Sequence, residues 1–203
     1  MWEVFIFINP IGKSGLTVEK TLINFTKKHN IAVHLTFVPL SSVQIVDNYI
    51  KYNHLNQHDL QLRNQITQNI TLATHCYKAA TLQGKRKSRQ FLMSLQEAVD
   101  FEKRPFNIDL VKEIATQSHL DVAAMLADQN SNFTAQQCLQ DQQRANQLNI
   151  QTTPSIVIFD YSNAQDDQGV IIEAETGAQL EPFLNKLVSQ RHVQQSPDLH
   201  ILD

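Results

Sequence analysis

Apolar and polar positions alternate in two different rhythms along this chain, one at its ends and one through its middle. Glu3 to Ile8 (EVFIFI) is a short apolar, aromatic and β-branched run that predicts a buried strand, closed by Asn9-Pro10. After the small-residue turn Gly12-Lys13-Ser14-Gly15, the residues Val18, Leu22 and Phe25 recur at i, i+4, i+7 and predict a helix, with Ser14 or Thr17 as its cap. Ile31 to Val38 (IAVHLTFV) predicts a second strand ending at Pro39, and the connection is long enough for a right-handed parallel crossover.

From about Gln65 to Asn149 the period is helical throughout. Phe91, Leu95, Ala98 and Val99 make one face, Asn107 or Asp109 opens a helix holding Leu110, Val111 and Ile114, and Asp121 opens another holding Val122, Met125 and Leu126. Ala135, Cys138, Ala145 and Leu148 are expected to line the last helix of the block. Strand character returns at Ser155 to Phe159 and Val170 to Ile172, joined by the polar turn Ser162 to Gly169, which predicts an antiparallel hairpin. A helix over about Leu180 to Val188 follows. The order β-α-β, helical block, β-β-α makes two halves of one sheet with a helical insertion, an α/β thioredoxin-like layout. The expected division is residues 1–60 and 150–190 as one discontinuous domain, 61–149 as the insertion, and 191–203 as a mobile tail.

Composition narrows the function classes. Hydrophobic residues at 42% and charged residues at 18% fit a folded chain and exclude a disordered one. A net charge of -3 gives no reason to expect nucleic acid or a membrane surface as partner. No apolar run reaches the length that spans a bilayer. Met1-Trp2-Glu3 leads straight into the first strand without a basic leader, so no secretory signal is expected. Cys76 and Cys138 form no metal or redox motif, and such sparse use suits a reducing cytosol; the expected location is cytoplasmic.

Four stretches carry a resemblance. Thr152-Thr153-Pro154-Ser155, ahead of a strand, resembles the cis-proline loop of thioredoxin-fold proteins. Asp141…Ala145…Ile150-Gln151-Thr152-Thr153-Pro154 resembles the end of the DsbA insertion. Lys78 to Lys85 (KAATLQGK) and Phe91 to Ala98 (FLMSLQEA), continued by Ile114-Ala115…Leu120-Asp121, resemble YjbH-type proteins, which are cytosolic DsbA-like adaptors that deliver the transcription factor Spx to the ClpXP protease. The resemblance implies a thioredoxin-like fold with a DsbA insertion, a cis Thr153–Pro154 bond, a peptide groove at Thr153 and Pro154, and an Spx-like regulator and ClpXP as partners. It covers most of the chain from Glu3 to about Glu173.

The departure from that family lies at Gly12-Lys13-Ser14-Gly15, where the glycines stand in the two cysteine positions of a C-x-x-C motif. Disulfide exchange needs a thiolate and a resolving thiol, and glycine supplies neither. The slot is therefore degenerate, no catalytic residue is assigned, and a protein-binding role is expected; the alternative is a dithiol-disulfide isomerase-like oxidoreductase. Cysteines restored at 12 and 15 would be resisted if either glycine held a positive φ.

Other candidate chemistry is thinner. The Gly-Lys-Ser run follows a strand and precedes a helix, as a phosphate loop does, but such a loop needs another glycine five residues before Gly12, where Phe7 stands. A weakly held anion at the helix N-terminus beside Lys13 stays open. His54 and His58, with Asp59, would share a helical face if the segment were helical, yet no third ligand is near, so no metal is expected. Lys85, Arg86, Lys87 and Arg89 form a basic run opening a helix, read either as a solvated face or as charges for an acidic partner. Cys76 and Cys138 are read as packed thiols. No cofactor is expected.

Overall fold

The computed structural model describes residues 1–13, 15–161 and 169–194, with side chains to Ser189. Ser14, most of the turn between the last two strands, and residues 195–203 of the expected tail lie outside the described residues.

Strand β1 (Trp2–Ile8) sits in the middle of a four-stranded sheet ordered β2-β1-β3-β4, with β2 at Val33–Pro39, β3 at Ser155–Asp160 and β4 at Val170–Glu173. β1 and β2 run parallel from Trp2 opposite Val33 to Ile8 opposite Pro39, while β3 is antiparallel to both β1 and β4. The intervening helix α1 (Gly15–Lys28) buries Val18, Leu22 and Phe25, as its period predicts. Thr17 lies inside α1 rather than at its cap, because the helix already starts at Gly15. Pro39 closes β2 as its last paired residue, a position where the missing N–H costs no ladder bond.

Helix α2 (Val43–Tyr52), which the sequence reading did not assign, follows β2. The insertion comprises α3 (Leu60–Thr81), α4 (Lys85–Gln96) with a π-helical turn at Glu97–Phe101, α5 (Ile108–Gln117), α6 (Val122–Asp128) and α7 (Asn132–Gln147). Their starts are chemically specified. Side chains of Ser42, Asp59, Asn107, Asp121 and Ser131 each accept a hydrogen bond from the backbone N–H three residues on, satisfying an otherwise orphaned donor. α4 starts after Gly84, whose φ of 112° only glycine adopts without strain.

The Asp59 cap decides the fate of the histidine pair. His54 has a left-handed φ of 54° and His58 lies in the turn before α3, so the two do not share a helical face. In α7 the inward line is Thr134, Asp141 and Ala145, with Cys138 half-buried. Ala145 and the partly buried Leu148 face inward as predicted, whereas Ala135 is exposed and its neighbour Thr134 is buried in its place. The last helix, α8 (Gly177–Gln194), is longer at both ends than predicted and takes in residues 191–194 of the expected tail.

One core joins sheet and insertion. Trp2, Val4 and Ile6 of β1 pack in the same cluster as Phe91, Leu95, Val111 and Ile114. On the other sheet face, Phe7, Val38, Val157, Ile45 and Ala145 form a second cluster that seats α2 and α7. The helical period of the insertion is thus consumed by a core that ends on the sheet.

Candidate functional site

The site stands where β1 ends and α1 begins. Asn9 leaves the strand and turns the chain: its side-chain Oδ1 accepts from the Ile11 N–H at 3.1 Å, and its carbonyl accepts from the Gly12 N–H at 2.9 Å. That tight turn leaves little room at position 12, where a Cβ would lie 2.9 Å from Asn9 Cβ. A side chain at position 15 would collide with the buried amide of Gln96 on α4. Neither glycine has a positive φ, so backbone conformation does not require glycine there; a larger residue would instead have to displace the Asn9 side chain at position 12 and the Gln96 amide at position 15.

The loop before β3 faces this turn. Thr153–Pro154 is a cis peptide bond, with Pro154 buried. The Thr152 hydroxyl donates to Glu173 Oε1 of β4 at 2.9 Å, and the Ser155 hydroxyl donates to the Thr152 carbonyl at 2.7 Å. The Asn48 side-chain amide of α2 donates to the Gln151 carbonyl at 2.9 Å, which ties α2 to the loop.

Together these segments enclose a cavity of about 340 Å³ lined by Gly12 and Lys13, by Thr152, Thr153 and Pro154, and by α2 residues including Asn48 and Tyr52. The Lys13 ammonium lies 4.9 Å from the Tyr52 ring centre, a cation–π contact that holds its stem along the cavity wall. Sequence reasoning foresaw the glycine turn and the proline loop, and the fold brings them together. It missed the α2 wall. The available signal was Ser42 as cap ahead of Ile45, Val46 and Ile50, all three of which are buried.

No residue lining the cavity carries a thiol. Both cysteines are free and lie elsewhere. Burial pushes the Cys76 thiol up to about 12, and Cys76 donates to Gln129 Oε1 at 2.9 Å. Cys138, half-buried beside Lys78 and Asp141, is pushed up by burial to about 11. Neither group is a ready nucleophile at neutral pH.

The basic run falls in a different place. α4 runs against α1, so that Gln96 meets Gly15 at the cavity end while Lys85, at the other end of the helix, places its Nζ 3.2 Å from His34 Nε2 on β2. Lys85, Arg86 and Lys87 are exposed. Arg89 turns inward and its Nε donates to Glu19 Oε1 at 2.6 Å, with Glu19 wholly buried. Desolvation raises the Glu19 pKa, an effect that the Arg89 charge opposes. The structure therefore separates Lys85, Arg86 and Lys87 from Thr153 and Pro154, and engages Arg89 within the fold.

Among the described residues no group of histidines, cysteines and carboxylates could hold a metal ion, and no helix is long and apolar enough to cross a membrane.

Comparison with known proteins agrees with this geometry. The ClpXP adapter protein SpxH of Shouchella clausii (strain KSM-K16) is 32% identical over 104 residues, a match that takes in 51% of this chain and 34% of that protein's length. The chain therefore spans about a third of the length of that relative. Among solved structures, oxidoreductase DsbA from Xylella fastidiosa superposes with a TM-score of 0.63 at 13% identity, covering 95% of this chain and 87% of that one. A protein from Nitrosomonas europaea, described as a candidate protein disulfide isomerase, superposes with a TM-score of 0.65 at 12% identity, covering 93% and 98%. These two likenesses establish the DsbA-like fold. The thioredoxin family model matches residues 5–181, and this chain belongs to the thioredoxin family.

Proposed function

We propose that this protein is a non-redox adaptor that binds a protein partner at the cavity between Gly12-Lys13 and Thr153-Pro154. The observation that carries the reading is the pairing of a cavity of about 340 Å³ beside the proline loop with a Gly12-Lys13-Ser14-Gly15 turn that carries no cysteine. A loop feeding a central strand presents backbone groups to which an extended segment can pair, and this mode of recognition needs no thiol. The likeness to SpxH supports the finer reading, in which an Spx-like regulator is the cargo and ClpXP the protease that receives it. The two unpaired thiols suit a reducing, cytoplasmic setting.

The competing reading is a thiol–disulfide oxidoreductase, favoured only by the fold shared with DsbA. Two experiments separate them. Reconstituted degradation of an Spx-like substrate by ClpXP should accelerate when this protein is added, and unchanged substrate half-life without a detectable complex at low salt would defeat the adaptor reading. Insulin reduction should stay at the level of a Cys76→Ser/Cys138→Ser double variant; turnover well above it would restore the oxidoreductase.

A further inference from the structure

β2 is an edge strand, and its outer side is open. Two backbone bonds at the ends of its ladder with β1, Trp2 N–H to the Ala32 carbonyl and Leu40 N–H to the Ile8 carbonyl, both at 2.8 Å, set the parity of the pairing. His34, Thr36 and Val38 turn their backbone groups toward β1, so Val33, Leu35 and Phe37 turn theirs outward. Among the described residues, nothing pairs with those outward groups. An unpaired strand edge is a template for another chain.

A groove of about 1290 Å³ follows this edge. Its far wall is the α3–α4 corner, with Thr81, Lys85 and Arg86, and α1 contributes Ile23 and Lys27. The charged side chains lining it are Lys27, Lys78, Lys85, Arg86 and Arg89 against Glu97 alone. Lys78 is neutralised by Asp141 and Arg89 by Glu19, while Lys27, Lys85 and Arg86 form no ion pair among the described residues. In a chain of net charge -3, this edge collects uncompensated cations.

We propose that the groove is a second docking surface, taking an extended acidic peptide that adds as a strand to the outer edge of β2. The peptide's backbone would pair with Val33, Leu35 and Phe37, and carboxylates on alternate residues would meet Lys27, Lys85 and Arg86. The same cations repel a basic strand and disfavour edge-to-edge pairing of two copies, so the charge selects the occupant. Lys85 reaches His34, five residues or about 16 Å of strand before the end of β2, and β1 separates β2 from the strand that the proline loop precedes. The surface is therefore separate from the proposed adaptor cavity and does not depend on that reading, though it would give an adaptor its second hand.

The test uses the full chain and a fluorescein-labelled peptide of four Glu-Val repeats, read by fluorescence anisotropy at low salt. Saturable binding is expected. It should weaken about tenfold or more in a Lys85→Glu/Arg86→Glu variant, whose fold is verified by circular dichroism, and similarly with rising salt. N-methylation of alternate peptide residues on one edge should abolish it, while methylation of the other edge is tolerated, because only one edge can pair with β2. Lys13→Ala, in the other cavity, should leave it within about twofold. No saturation below about 1 mM, equal affinity of both methylated peptides, or displacement by dilute tripolyphosphate would each overturn strand addition. Loss of binding in Lys13→Ala with Lys85→Glu/Arg86→Glu unaffected would assign the peptide to the proline cavity instead.

Discussion

The amide of Gln96 occupies the space that a side chain at position 15 would need. Gln96 comes from α4 and is buried, and among the described residues its Nε2 finds no hydrogen-bond partner. A glycine at 15 and a glutamine at 96 thus form one packed unit that joins the start of α1 to the end of α4.

Gly15→Cys should consequently destabilise the protein by roughly 1–3 kcal/mol, the cost of overpacking a buried contact. Urea denaturation measures it. Adding Gln96→Ala should return most of the loss, because it vacates the contested space and removes a buried donor without a partner. If Gly15→Cys is as stable as the parent, the crowding argument is wrong.

Arg89→Glu should cost stability where Lys87→Glu does not. Removing Arg89 leaves the Glu19 carboxylate buried without its counter-charge, and glutamate adds a like charge beside it. Arg89 is 38% exposed, so solvent screens the pair and the expected loss is roughly 2 kcal/mol rather than the full value for a buried pair. Thermal melts of the two variants read the contrast, and equal melts would contradict the inward placement of Arg89.

Native thiols should label slowly. With Cys138 near 11, about one molecule in a thousand is thiolate at pH 8, and Cys76 has fewer still. Iodoacetamide should modify both cysteines quickly only after unfolding. A rapid native phase would show that one of them is accessible.

Cys76 also sets an alkaline limb of stability. Its thiol titrates near 9 when unfolded and at about 12 in the fold, so the folded chain holds the proton more tightly between those values. The stability it contributes is complete below pH 9 and declines as pH rises, by up to about 1.4 kcal/mol per pH unit. Cys76→Ala should have a flatter limb above pH 9 in denaturant titrations, and an unchanged slope would refute the assignment.

Asn48→Ala should loosen the proline loop from α2 by removing the bond to the Gln151 carbonyl. A partner held in the cavity should dissociate several-fold faster, with association little changed, since the side chain carries no charge to steer encounter. Surface plasmon resonance with an Spx-like protein resolves the two rates.

Local patterning determined a good deal. Val18, Leu22 and Phe25 gave α1 its inward face, Asn107 and Asp121 fixed two helix starts by their own side-chain bonds, and the β-branched run at Ser155 to Phe159 marked a central strand. Such features are written within a few residues of each other, because periodicity and capping act at short range. The absence of thiols in the Gly12 to Gly15 turn was equally plain from the sequence.

What only the tertiary structure decided are relationships between distant segments. Nothing near Gly15 announces Gln96, and nothing in the run from Lys85 to Arg89 says that three of its cations face solvent while Arg89 seeks Glu19. The burial of Asp141 on α7 is matched by Lys78 on α3, 2.5 Å from its carboxylate, a partner 63 positions away that no local pattern announces. The open edge of β2 likewise depends on strand order, which is set by how the crossover packs and by no single residue. Contacts of high sequence separation are fixed by the joint packing of whole elements, and that is why the cavity wall of α2 and the separation of the two surfaces emerge only in three dimensions.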